Sequence, residues 1–326
     1  MKSILKKVAG VAVAAVLALG MIGCSNGSDD PVMPPVSGKQ TVATPEFNVA
    51  SGAVDGGTEV TITCATEGAK IYYTTDGSDP TASSTEYTAA ISVTAAVTLK
   101  AIAVKDGMND SAVASASYSI IPTPGDFVLK DGTILSKDET PESGTVAAVI
   151  VRAAADGKPA LGVGIVHSTS GLEWCTRDAE GHSIDITSLH SGYEDGRDGW
   201  EKLKAACPDA ESNPENYPAW NYSLTYAKNN SLTGDLATGW YLPTLTELNT
   251  ICKNKTAVDE SLSKAGGSTF GTSSYWSCIQ HSLERQKHYA YSYGFGISGW
   301  TGKEGYSCES PKSSNYPYVC SVRAFN

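Results

Sequence analysis

Three groups of residues in this chain have the types and spacing to do chemistry. Cys24 follows the apolar run Val8 to Ile22 after a single glycine and precedes a polar stretch. His182 and His190 lie near Asp178, Glu180 and Asp185, and Asp76, Asp79 and Glu86 form a second acidic set. These are donor types for a transition metal and for calcium respectively. The third group is a tyrosine-rich segment between Trp276 and Val322. It holds His281, His288, Tyr289, Tyr291, Tyr293, Phe295, Trp300, Tyr306, Tyr316 and Tyr318, with serines and glycines between them. Tyrosine supplies large amphipathic contact area at low entropic cost, and Ser and Gly adapt around it, as in paratopes.

The acid and histidine sets read more simply as solvated loop residues, so no metal and no cofactor is expected. Cys308 sits in Gly305-Tyr306-Ser307-Cys308-Glu309. A nucleophilic cysteine needs its pKa lowered, and an acidic neighbour works against that. No G-x-S-x-G, H-E-x-x-H or phosphate loop occurs. No catalytic residue is therefore assigned. The candidate ligand-binding set is Cys278, Gln280 and the ten residues of the tyrosine-rich segment. The competing reading is a tyrosine-rich strand surface with no ligand.

The net charge of -11 and the absence of any basic run exclude steering toward nucleic acid. Lys2, Lys6 and Lys7 precede or open the apolar run, which has a small-residue exit. That run is too short to span a bilayer, which needs about 20 residues, and its pattern is that of an export signal. Met21-Ile22-Gly23-Cys24 resembles the lipobox of bacterial lipoproteins. The resemblance implies cleavage after residue 23, acylation of Cys24 and anchoring to a lipid bilayer. Seven cysteines then remain, an odd number, with no C-x-x-C spacing. Export permits disulfides, and the spacing leaves every connectivity open.

The elements that must carry these residues fall into four stretches. Residues 1–23 are the signal, and 24–43 are a polar, proline-containing tether. Residues 44–121 alternate in period two at Val60-Ile62-Cys64, Ile91-Ser92-Val93 and Val97 to Val104, with turn clusters such as Asp76-Gly77-Ser78-Asp79-Pro80. This predicts a small all-β sandwich. The string Ile71-Tyr72-Tyr73-Thr74-Thr75-Asp76-Gly77-Ser78-Asp79-Pro80, with Lys100-Ala101-Ile102-Ala103 after it, resembles the chitobiase/hexosaminidase C-terminal-type Ig-like module. That resemblance implies an accessory spacer. Tyr72 and Tyr73 read as cross-strand aromatic packing, with carbohydrate binding the less favoured alternative.

Residues 122–326 open on the stiff joint Ile121-Pro122-Thr123-Pro124-Gly125. Strands are expected at Phe127 to Leu129, Val146 to Val151 and Leu161 to Val166. Helices are expected after Asp195-Gly196 and from Tyr217 to Lys228. A capping box at Thr244 and Glu247 starts the clearest helix, with Leu245, Leu248, Ile251 and Cys252 on one face. Twisted strands and loops follow Gly266, giving an α+β domain. Gly239-Trp240-Tyr241-Leu242-Pro243-Thr244-Leu245-Thr246-Glu247-Leu248, Tyr275-Trp276-Ser277 and Ser321-Val322-Arg323-Ala324-Phe325 together resemble the C-terminal domain family of bacterial collagen-like proteins. That family implies a C-type-lectin-like fold related to formylglycine-generating enzymes. Read physically, Trp240 and Trp276 are core aromatics and Arg323 satisfies buried acceptors near the terminus. The arrangement is also similar to variable proteins of diversity-generating retroelements, which include a treponemal surface lipoprotein of this fold. That similarity makes residues 277–321 a candidate variable segment, with Cys278, Ile279, Cys308 and Cys320 as products of diversification.

The expected function is a lipoprotein on the outer surface of a bacterial membrane, binding an external protein or glycan through its C-terminal aromatic face. The alternatives are a structural envelope lipoprotein without a ligand and, less favoured, an oxidase-like enzyme. Metabolic labelling with a fatty acid should mark the wild-type chain, and Cys24→Ala should abolish the label. An unlabelled wild-type chain would remove the anchor.

Overall fold

The N-terminal β-rich stretch closes because its apolar residues recur every second position. In Val97–Val104, Leu99, Ala101 and Ala103 are buried while their neighbours are partly exposed. Ala116, Tyr118 and Ile120 alternate likewise in Ala114–Ile120. These strands lie in a five-stranded sheet with Gly52–Val54, Lys70–Thr74 and Thr85–Glu86. Two short pairs belong to the same module: Thr58–Val60 with Ile91–Val93, and Glu46–Phe47 with Ile62–Thr63. Val60, Val93, Leu99, Ala116, Tyr118 and Ile120 form the shared core. Tyr73 meets Tyr87 edge to face, with ring centroids 6.3 Å apart. Asp79 pairs with Lys100 and Glu86 with Lys70, while Asp76 accepts from Ser78. The acidic set is thus spent on local structure.

The computed structural model describes residues 38–190, 195–281, 287–297 and 304–325. Cys24 and Trp300 lie outside them. Residues 40–326 form one compact unit. The joint is held by Asp126, whose carboxylate accepts from Thr123 N and Oγ1 at 2.8 and 3.0 Å and from Lys137 N at 2.9 Å. Ser136 N donates to Thr94 O, and Ile134 packs against the cores on both sides of the joint.

The remainder combines sheets with a smaller helical region. A six-stranded antiparallel sheet runs Ile134–Leu135, Phe127–Leu129, Val146–Arg152, Ala160–Gly164, Val322–Phe325, Trp240–Tyr241. The last strand of the chain therefore lies inside the sheet. Trp240 and Trp276 are buried, and their indole N–H groups donate to Leu236 O and Leu172 O. Arg323 donates to the carbonyls of Thr238, Asp235 and Ala324. Helices occupy Gly199–Ala206, Pro218–Leu224 and Tyr226–Asn229, as the pattern predicts, and Lys255–Lys264, which it does not.

The Leu245–Lys253 helix is capped as expected. Thr244 Oγ1 accepts from Glu247 N at 3.1 Å, and Glu247 Oε2 accepts from Thr244 N at 2.9 Å. Among the described residues, no helix is long and apolar enough to cross a membrane.

His167 is buried, its ring centroid 4.5 Å from that of Phe270 and its Nδ1 3.1 Å from Tyr275 Oη. Burial pulls its pKa from 6.5 to about 3. The unfolded chain takes a proton here as the pH falls below about 6.5, whereas the folded chain does not until about 3. This group therefore stabilises the fold at neutral pH, and that stability is lost as the pH falls from about 6.5 toward 3. Urea midpoints measured across this range should fall less steeply for His167→Phe than for wild type. Parallel curves would refute the assignment.

Candidate functional site

The tyrosine-rich segment folds into a three-stranded antiparallel sheet, Ser274–Gln280, Tyr289–Ile297 and Glu304–Pro311. Successive side chains alternate faces. Tyr291 lies opposite Glu309, Ser292 opposite Cys308, Tyr293 opposite Ser307 and Gly294 opposite Tyr306. Directly opposed residues share a face. Tyr289, Tyr291 and Tyr293 are thus on one face, and Tyr306 and Cys308 are on the other. A single aromatic surface is expected from composition; the register divides it into two.

On the first face, Tyr291 is half-buried and stacks on His281, with centroids 5.2 Å apart and planes 25° apart. His281 Nε2 lies 2.9 Å from Glu309 Oε1, and Glu309 remains substantially exposed. Burial, then Glu309, raises the Tyr291 pKa. Tyr289 is half-buried beside this group, and its carbonyl accepts from His281 N. His288 Nδ1 donates to His182 O at 3.0 Å, and the two imidazoles lie 5.0 Å apart. Burial lowers the His182 pKa first, and the nearby His288, Lys312 and Arg177 add to it.

On the second face, Tyr306 lies across Gly294, where an added Cβ would come within 2.8 Å of its ring. Tyr306 is 37% exposed, and Tyr316, in a separate turn, is 85% exposed. Cys308 is half-buried, and burial pushes its thiol up, away from the direction a nucleophile needs.

Several candidates are corrected by burial. Cys278, Gln280 and Phe295 are inside the protein and present nothing to a ligand. Gln280 instead spans loops, donating to Ile184 O and Lys287 O and accepting from Ile186 N. Tyr293 is 7% exposed, and its hydroxyl donates to Asn249 Oδ1 on the capped helix. Tyr318 is half-buried against Tyr275. The cause is coverage of both sides of the sheet: Tyr293 and Phe295 join the core beneath the helix, while Cys278 and Ala290 join the Trp174–Trp276 core. His281 is also buried, whereas His288, Tyr289, Tyr291, Tyr306, Tyr316 and Tyr318 keep exposed surface.

Sequence reasoning passed over Glu309 as a partner of the aromatic group, and Lys312. Lys312 is completely buried, donates to Gly181 O and lies 5.0 Å over the Trp174 ring. Burial pulls its pKa to about 8, while Cys175, Cys207 and Asp185 act in the opposite sense. No local pattern signals a lysine inside a core. His190 pairs with Asp185, apart from the His182–His288 pair, and no described group of three His, Cys, Asp or Glu is arranged to hold a metal.

Residues 49–115 match the chitobiase/beta-hexosaminidase C-terminal domain family. The N-terminal module is an Ig-like domain of that type. No curated protein matches the chain significantly.

The split between exposed and buried aromatics sets an energetic expectation. Tyr306→Ser and Tyr316→Ser should each cost within about 0.5 kcal/mol of stability. Phe295→Ala and Trp276→Ala should cost roughly 3–5 kcal/mol. Chemical denaturation of the four variants checks this, and equal losses would make the whole segment structural.

Proposed function

We propose that the chain is a surface lipoprotein, anchored through acylated Cys24, that binds an external protein or glycan through the tyrosines of its C-terminal sheet. The observation that carries this reading is the Tyr289–Tyr291–Glu309 group. It is partly exposed, and the buried His281 orders it from beneath. Aromatic side chains held rigid before binding lose little entropy when a partner arrives. The Ig-like module is proposed as a spacer between membrane and binding domain.

The C-terminal domain is proposed to be C-type-lectin-like. The inserted Val322–Phe325 strand and the buried Trp240 and Trp276 are consistent with the motifs that suggest it. The proposal extends to diversification within residues 277–321. The exposed tyrosines sit on hydrogen-bonded strands, so side chains there can change while the backbone ladder stays. No catalytic role is assigned, and Cys308 shows no feature of an activated thiol. The inward placement of Tyr293 and Phe295 favours the structural envelope alternative for that end of the sheet.

The test is an array of extracellular proteins and glycans probed with the full chain. At least one probe should be retained, and Tyr289→Ala or Tyr291→Ala should weaken it at least thirtyfold, about 2 kcal/mol. Retention that no tyrosine variant alters would leave the structural reading. A template repeat of the codons for residues 277–321, beside a reverse transcriptase gene, is the expected genomic signature of diversification.

A further inference from the structure

A second site lies apart from the exposed tyrosines, in a cavity of about 220 Å³ lined by His167, Thr169, Tyr222, Tyr226, Asn229 and Asn230 together with Val166. Its walls are fixed by their own hydrogen bonds. Tyr226 Oη accepts from Val166 N at 3.4 Å and donates to Ala147 O at 3.3 Å. Tyr222 Oη donates to Val166 O at 3.3 Å. Both rings are thereby held in place.

The amides are half-used. Asn229 Nδ2 donates to Thr225 Oγ1 at 3.2 Å, and Asn230 Nδ2 donates to Tyr226 O at 2.8 Å. Each leaves its side-chain oxygen as an acceptor. His167 supplies the complement. His167 Nδ1 lies 3.1 Å from Tyr275 Oη, a hydroxyl that can donate to it or accept from it. Phe270 covers the ring, and Nε2 is buried with no partner among the described residues. An orphaned buried polar atom of this kind is costly unless something pairs with it.

No charged side chain lines the cavity. His167 stays neutral across physiological pH, because burial holds its pKa near 3. A charged ligand would lose hydration here and find no counter-ion. A ligand with hydroxyls meets both needs, since each hydroxyl donates and accepts. An apolar ring face suits the tyrosine walls, and the volume fits one small ring.

We propose that this cavity binds a neutral polyhydroxylated ligand of monosaccharide size, with the Asn229 and Asn230 amide oxygens accepting its hydroxyl protons and His167 Nε2 pairing with one of its hydroxyls. The site is independent of the ligand face on the tyrosine-rich sheet.

The experiment is NMR of the full chain in detergent micelles, labelled with ¹⁵N at histidine. The probes are glucose, galactose, mannose and N-acetylglucosamine, each titrated to about 50 mM, the range for weak millimolar binding. At least one neutral sugar should shift the His167 signals saturably. Glucuronate and glucosamine, which carry charge, should not. Asn229 is exposed, so Asn229→Ala should keep the unfolding midpoint while weakening binding about tenfold, the loss of one hydrogen bond. Tyr291→Ser should leave the shift unchanged, which separates this cavity from the face that carries Tyr291. Overturning results are a His167 signal that no sugar shifts, with solvent exchange alone visible, or equal binding of the charged sugars.

Discussion

The C-terminal domain depends on one buried carboxylate. Glu247 is 1% exposed. Its Oε2 caps the Leu245–Lys253 helix through Thr244 N, and its Oε1 accepts from Tyr241 Oη at 2.7 Å. Burial raises its pKa. Hydrogen bonds to both oxygens make that burial tolerable, because an unpaired carboxylate inside a protein is strongly destabilising. The interaction ties a strand of the six-stranded sheet to the start of the helix. The helix then reaches the three-stranded sheet through Asn249 and Tyr293. Pro243, just before the cap, accepts from Cys278 N. Both sheets take their positions from this helix terminus.

That arrangement explains why the tyrosine-rich strands are only partly a surface. A sheet clamped by a helix on one side and a tryptophan core on the other has free area only toward one end and along its outer strand. Tyr289 and Tyr291 reach one such area, and Tyr306 reaches the other. His281 and Glu309 come together because the strand register sets Glu309 across from Tyr291. The separation of 28 positions from His281 to Glu309 carries no hint of the pairing.

The two modules are joined by more than a linker. Asp126 gathers Thr123 and Lys137, and Ile134 packs into cores on both sides. Contacts of this kind fix the orientation of one module relative to the other as well as their distance. The His167 cavity lies in the later module, between the loop after the Ala160–Gly164 strand and the Pro218–Leu224 and Tyr226–Asn229 helices.

By itself the sequence determined what is local. Period-two alternation marked the Ig-like strands, because one face of a strand must be apolar to bury. The Thr244–Glu247 capping box announced its helix, because the box is closed by residues three apart. Composition marked the tyrosine-rich segment as aromatic. Tertiary structure decided what depends on distant partners. It alone divided the tyrosines between two faces, since facing is set by register with strands elsewhere in the chain. It alone turned Cys278, Gln280 and Phe295 inward, because burial depends on what packs above a residue. Lys312 in a core and the Tyr275–His167 pair at the edge of a cavity were equally invisible, for a single residue carries no sign of the neighbours that folding brings to it.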